Sequence, residues 1–238
     1  MNLNQLVFLD TETTGNDIKK DRLAQVCYRF GDAVFNEYFK PPVPMSVKAM
    51  SVTHITNKML VDKPAFKGSQ MEADLKDLLK DKVLVAHNAK FDIGILEAED
   101  IFTSKFICTL RVARFLDPNN LIPEYGLQFL RYFLDLEVVG DAHNAEGDVN
   151  VLYGVFERLF SKMKETEGSE EKALEKMIEI SKVPTIFNKF NFGKYKDKTI
   201  KEVLIDDRRY LEWLLNSKLE NEQNDEDWIY TLKHYLNK

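Results

Sequence analysis

Two carboxylates close the first apolar run of this chain. Leu6-Val7-Phe8-Leu9 leads directly into Asp10-Thr11-Glu12-Thr13-Thr14-Gly15. The run is short, continuous and bounded by polar residues, which predicts a buried strand. Residues i and i+2 of a strand point to the same side, so Asp10 and Glu12 share a face. Paired carboxylates on a buried strand are costly unless a countercharge neutralises them. The fold must therefore bring positive charge or solvent to this strand end. A strand end that simply reaches water meets the same demand, and the turn signal Thr13-Thr14-Gly15 weighs only slightly against it.

Two more neighbourhoods carry acids. Asp92 ends Val85-Ala86-His87-Asn88-Ala89-Lys90-Phe91-Asp92, where an apolar strand gives way to a helix. An acid in a first helical turn is favourable with the helix dipole, so Asp92 alone reads as a cap. His143 and Asp148 lie in Ala142-His143-Asn144-Ala145-Glu146-Gly147-Asp148. Their i, i+5 spacing places His143 on the loop before a helix and Asp148 on its first turns. Taken alone, His143 is a surface or capping histidine. Taken together, four carboxylates and one imidazole are what a site needs to hold two hard divalent cations and activate a water.

The spacing of apolar residues predicts strands over Leu6–Leu9, Arg22–Phe30, Ala33–Phe39, Lys82–Ala86 and Phe106–Thr109. Gly31-Asp32 is a hairpin signal, which makes the second and third strands antiparallel. Helical pieces are expected over Ser46–His54, Thr56–Leu60, Glu72–Leu79, Phe91–Glu99, Leu110–Phe115, Tyr125–Leu134 and Ala145–Phe160. A meander followed by alternating strand and helix implies an α/β fold, a mixed sheet with helices on both faces. Residues 1–164 form this domain. Residues 165–184 are rich in Lys and Glu and read as a solvated, charged linker with a helical portion around Ala173–Ile180. Residues 185–238, with Trp213 and Trp228, form a small C-terminal module.

The 238 residues carry a net charge of −6, which argues mildly against a protein that coats nucleic acid by charge alone. It leaves open an enzyme whose acids bind cations. No apolar run approaches the roughly 20 residues of a membrane span, and no signal segment opens the chain, so a cytoplasmic protein is expected. Cys27 and Cys108 sit in apolar stretches and read as free buried thiols.

The three acid-bearing segments together resemble the exonuclease motifs of the DEDDh-type 3′-5′ exonuclease superfamily. Within it, the likeness is to exonuclease X and DNA polymerase III epsilon-subunit-like exonucleases. It covers about Leu6 to Phe160 and includes Ala49–Thr56, Ile107-Cys108-Thr109 with Arg111–Leu116, and Gly126–Leu130. His143 followed by Asn144 matches the histidine branch of the superfamily rather than its tyrosine branch.

The resemblance implies a ribonuclease H-like fold. It also implies that Asp10, Glu12, Asp92 and Asp148 bind two Mg²⁺ (or Mn²⁺) ions, with Asp10 bridging, and that His143 is the general base. The expected reaction is removal of 5′-mononucleotides from a 3′ end, most simply a DNA 3′ end in repair or proofreading. Thr13, Thr14 and Gly15 match a segment that packs on the last sugar. His54 and Ile55 match the terminal base pocket, although Ile55 reads equally well as core. Asn88 and Phe91 either touch substrate or order Asp92, and His87 reads as structural.

Phe192–Ile200, followed by Tyr210–Leu214, resembles the C-terminal module of exonuclease X-like proteins. Lys194, Lys196 and Lys198 beside Tyr195 are expected to contact nucleic acid, with a solvated hairpin edge as the plainer reading. Glu220, Glu222, Asp225, Glu226 and Asp227 would repel DNA and fit a helix that caps the module. Two alternatives stay open. One is a 3′-5′ exoribonuclease of the same superfamily. The other is a polymerase-associated proofreading subunit whose main task is interaction with a polymerase or repair partner.

Overall fold

The computed structural model describes residues 3–138, 145–220 and 226–238. Three strands come first: β1 (Leu6–Thr13), β2 (Leu23–Phe30) and β3 (Ala33–Tyr38). They form an antiparallel meander, and Phe30 pairs with Ala33 across the two-residue turn at Gly31-Asp32. Gly31 takes a φ of 59°, the left-handed conformation such a turn demands.

Helices α1 (Val47–Thr53), α2 (Asn57–Leu60) and α3 (Gln70–Asp81) follow, then β4 (Val83–Ala86), α4 (Lys90–Ala98), β5 (Phe106–Cys108) and α5 (Thr109–Leu116). The side chains of Ser46, Thr56 and Ser69 cap the first three helices. The strand order is β3-β2-β1-β4-β5, with β4 parallel to both β1 and β5. The result is the mixed sheet flanked by helices that the sequence predicts.

Alternation along β1 divides its side chains between two cores. Leu6 and Phe8 face one side, with Val112, Leu130, Val155 and Phe156. Val7 and Leu9 face the other, with Leu75, Leu79, Ile95 and Leu96. Both faces are covered, which explains why β1 begins as an unbroken apolar run. The first core is built by α5, α6 (Leu127–Phe133), α7 (Ala145–Glu167) and α8 (Glu170–Lys182).

Helix α8 contains the helical portion expected around Ala173–Ile180, but it is packed against the domain rather than solvated. The solvated linker predicted over 165–184 comprises the end of α7 and all of α8. Ala173, Met177 and Ser181 are fully buried at intervals of four residues, one side of a helix. Ser181 Oγ accepts from Cys108 N at 2.7 Å and donates to the Met177 carbonyl at 2.6 Å, tying α8 to β5. The charged face of α8 had masked its narrow buried stripe.

Residues from Phe187 onward have a separate core. Phe190, Tyr195 and Ile200 pack with Val203, Leu211 and Leu214 from α9 (Ile200–Asp206) and α10 (Arg208–Glu220). Trp228, Leu232 and Leu236 of α11 (Glu226–Leu236) close it. Among the described residues, no helix is long and apolar enough to cross a membrane. Cys27 and Cys108 are both free and buried.

Candidate active site

The site lies where β1 outlasts its neighbour. Strand β4 pairs with β1 only through Phe8↔Val85, whereas β2 follows it through Glu12↔Gln25. The far end of β1 is therefore open on the β4 side, and the chain leaving β4 turns there into α4. A crevice beyond the carboxyl end of a strand is where open α/β sheets place their ligands. Asp10 and Glu12 continue the alternation of Leu6 and Phe8, toward α7. The first turn of α7 supplies Asp148, whose Oδ1 accepts from Gln128 Nε2 of α6. Asp10, Glu12 and Asp148 each offer an oxygen within 4.8 Å of the others.

Asp92 reaches the same place by another route. It sits in the first turn of α4, 4% exposed, and its Oδ1 accepts from the Thr11 hydroxyl at 2.8 Å. Thr11 lies between the two acids of β1, so the contact fixes Asp92 beside them across 81 residues of sequence. The capping role that Asp92 suggests by itself is thus secondary.

These carboxylates are packed close to one another, and the proton affinities of three of them register it. Burial, then the charges of Asp92, Glu12 and Asp148, hold the Asp10 carboxyl well above the usual carboxylate range. Burial, Asp148 and Asp92 push Glu12 up to about 8. Burial pushes Asp92 up to about 7, against the opposing hydrogen bond from Thr11. A fold that assembles acids at this cost fits a cation that replaces their protons. The oxygen-only donors suit a hard divalent ion.

The residues expected to touch substrate divide into groups. Thr14 is wholly engaged in a turn: its hydroxyl donates to Asp21 Oδ1 at 2.7 Å and accepts from Arg22 N at 3.1 Å. Its backbone N–H bonds Arg22 O, and its carbonyl accepts from Ser46 N. The Thr13 hydroxyl donates to Gly15 O at 2.6 Å. A Cβ on Gly15 would lie 2.5 Å from Asp21 Oδ2, so only glycine fits against that carboxylate. His54 is exposed, in left-handed conformation at the end of α1. Ile55 is 2% exposed and packs with Ala24, Met45, Ala49 and Leu60, the core role that was its alternative reading.

Asn88 is exposed with a φ of 60°, while Phe91 packs against the β1–α3–α4 core. His87 bonds Thr109 Oγ1 at 2.9 Å and the Tyr125 carbonyl at 2.8 Å, and burial lowers its pKa to about 4. It is a neutral, structural histidine. His143 and Asn144 lie outside the described residues.

Sequence reasoning passed over three site residues. Thr11 and Gln128 hold Asp92 and Asp148, and Asp21 organises the turn after β1. Thr11, flanked by two acids on a buried strand, carried a readable signal. Gln128 lay inside the Gly126–Leu130 segment of the resemblance without a role assigned to it, and Asp21 carried no signal outside the tertiary structure.

The lysine-rich turn differs from expectation. Tyr195 is 9% exposed, and its hydroxyl donates to Asp207 Oδ2 at 2.7 Å. Lys194 pairs with Asp207 at 3.3 Å and Lys198 with Asp206 at 3.6 Å. The Tyr195 ring is part of the module's core and offers no free face for a base.

The exonuclease family matches residues 7–156, and the family described as exodeoxyribonuclease X-like C-terminal matches residues 190–218. Exodeoxyribonuclease 10 of Escherichia coli (strain K12) is 29% identical over 235 residues, covering 97% of this chain and 98% of that one. The DNA polymerase III subunit epsilon of Treponema pallidum (strain Nichols) is 32% identical over 163 residues, 62% of this chain and 72% of its own. A solved structure of exonuclease X in complex with 5′ overhanging duplex DNA aligns with a TM-score of 0.56 at 23% identity. It covers 74% of this chain and 99% of that one, a likeness of fold. Asp10, Glu12, Asp92 and Asp148 all lie inside the first matched region, and the chain belongs to the exonuclease family.

Proposed function

We propose that this protein is a metal-dependent 3′-5′ DNA exonuclease that releases 5′-mononucleotides, acting in the cytoplasm in repair or proofreading. The observation that carries it is the convergence of Asp10, Glu12 and Asp148 on one point, inside a chain similar end to end to an exodeoxyribonuclease. Residues 1–164 carry the chemistry, and residues 185–238 form a module that assists it.

Asp10, Glu12, Asp92 and Asp148 would hold two Mg²⁺ or Mn²⁺ ions. When bound, such ions supply water activation and neutralise charge on the phosphate. The chain's own residues do the rest. Thr11 and Gln128 aim Asp92 and Asp148. His143 takes the proton from the attacking water as general base. The Thr13–Gly15 turn, braced by Asp21, seats the last sugar through Gly15, while His54 and Asn88 border the terminal nucleotide.

The test is digestion of a 3′-labelled DNA oligonucleotide with Mg²⁺, beside an RNA of the same sequence. Wild type should shorten the DNA, and Asp10→Ala should abolish the reaction. An alanine variant as active as wild type would remove Asp10 from the metal site. Faster digestion of RNA would move the substrate to the ribose series.

A further inference from the structure

The C-terminal module touches the exonuclease domain through a cluster of charge between α11 and the helices α4 and α5. Lys90 Nζ lies 2.6 Å from Glu226 Oε2 and 2.7 Å from Oε1. Arg111 donates to Glu226 Oε2 and to the Ser181 carbonyl, both at 2.8 Å. Arg114 pairs with Asp227, yet its Nε is buried with no hydrogen-bond partner. The three cations belong to α4 and α5, and the two acids open α11.

The cluster borders a cavity of about 530 Å³. Asn88 and Lys90 line it on one side, at the start of the helix that carries Asp92. Gly126 lines it on another, at the start of the helix whose Gln128 holds Asp148. The cavity thus lies between the two helix starts that reach the acid cluster. Its cations outnumber its acids by three to two, in a chain whose net charge is −6.

We propose that Lys90, Arg111 and Arg114 form a binding site for a backbone phosphate of the strand being degraded, and that Glu226 and Asp227 occupy it in competition with that strand. This rests on the nucleic-acid substrate proposed above. A carboxylate pair and a phosphodiester present similar acceptor oxygens to guanidinium and ammonium donors, so one can replace the other. Lys90 is half exposed and stands two residues before Asp92 at the start of α4. Arg111 lies deeper and is anchored by Ser181, so it keeps one partner when Glu226 departs. The module then acts as an anionic gate: strand binding draws its acids off the cluster, and weak or short strands fail to do so.

The experiment measures affinity of the full chain for a fluorescent single-stranded DNA in chelator, across a salt series, beside wild-type hydrolysis in Mg²⁺. The double variant Glu226→Gln/Asp227→Asn should bind several-fold more tightly than wild type. Lys90→Ala should bind more weakly, with a salt slope shallower by roughly 0.7, the value of one lost phosphate contact on a single strand. Unchanged affinity and slope in both variants would overturn the proposal and leave the cluster a clamp between the two parts. A lowered melting temperature in the double variant, with affinity at the wild-type value, would do the same. Wild-type protein that hydrolyses DNA while the variants bind like it refutes the phosphate site alone. Wild-type protein inert on DNA refutes the substrate reading itself.

Discussion

Two regions of this chain are dense in charge, and they treat it in opposite ways. At the end of β1, like charges are gathered: Asp10, Glu12, Asp92 and Asp148 crowd one another, burial raises the proton affinity of the first three, and repulsion adds to it at Asp10 and Glu12. In the turn before α9, two of the three lysines meet opposite charges. Lys194 and Tyr195 share Asp207, Lys198 meets Asp206, and the Asp207 carboxyl falls below the usual range, first through Tyr195. A fold that gathers its acids together is completed by a ligand of opposite charge. A fold that matches its own charges has used them for itself. The first pattern marks a site, the second a scaffold.

The largest expected effect breaks the first half of this contrast. Asp10→Asn removes one of the crowded charges while keeping the shape. Hydrolysis should fall by roughly 10²–10³-fold or more, the scale of losing a preorganised charge-stabilising group. The same change should raise the melting temperature in chelator at pH 8, because it relieves repulsion. The pH dependence follows from the same shifts. Glu12 and Asp92 protonate near 8 and 7 in the fold but near 4.5 and 3.8 when unfolded. Well below pH 3.8 both states hold the protons and these groups contribute nothing. As pH rises toward 8 the unfolded chain ionises first, so the chelated protein progressively loses stability. Added Mg²⁺ should restore it, and the gain in melting temperature should be larger at pH 8 than at pH 5.5. Taking the difference with and without Mg²⁺ cancels the opposite trend of His87, which costs stability as pH falls toward 4. A gain independent of pH would mean that the acids do not bind the ion as a group.

A smaller effect is expected beside the cluster. Gly15→Ala sets a methyl 2.5 Å from Asp21 Oδ2, a carboxylate already held by the Thr14 hydroxyl and Asp17 N. The turn must shift, at a cost of about 1–3 kcal/mol. Urea denaturation reads that cost, and activity should fall with it because the same turn follows Glu12. Full activity with lowered stability would detach the turn from the substrate.

Much of this was legible in the sequence, for a physical reason. Strand alternation puts Asp10 and Glu12 on one face whatever surrounds them, and the Gly31-Asp32 turn fixes its own hairpin. Such features depend on neighbours in the chain. Contacts between distant residues do not. Nothing near Asp92 names Thr11 as its partner, and nothing near Arg111 names Ser181 and Glu226. The packing of α8 was obscured because Ala173, Met177 and Ser181 form a thin buried stripe on a strongly charged segment. Tyr195 misled for the opposite reason. An aromatic among lysines has the composition of a base-stacking site, and only the fold shows its ring turned inward.

Tyr195→Phe tests that inward reading with the smallest expected effect. The substitution keeps the ring, which lies 4.8 Å from Tyr210 in an edge-on contact, and removes only the hydroxyl that donates to Asp207. The hydroxyl donates to an ionised carboxylate, so the denaturation midpoint should drop by a small but measurable amount. Stacking on a base needs the ring and not the hydroxyl. A surface platform would therefore tolerate the change with no loss of stability at all. Unchanged stability would place Tyr195 on the binding surface and restore the lysine turn as a nucleic-acid contact. A drop with unchanged DNA affinity would assign the turn to the scaffold, and would leave strand contact in the module to residues beyond its matched charges.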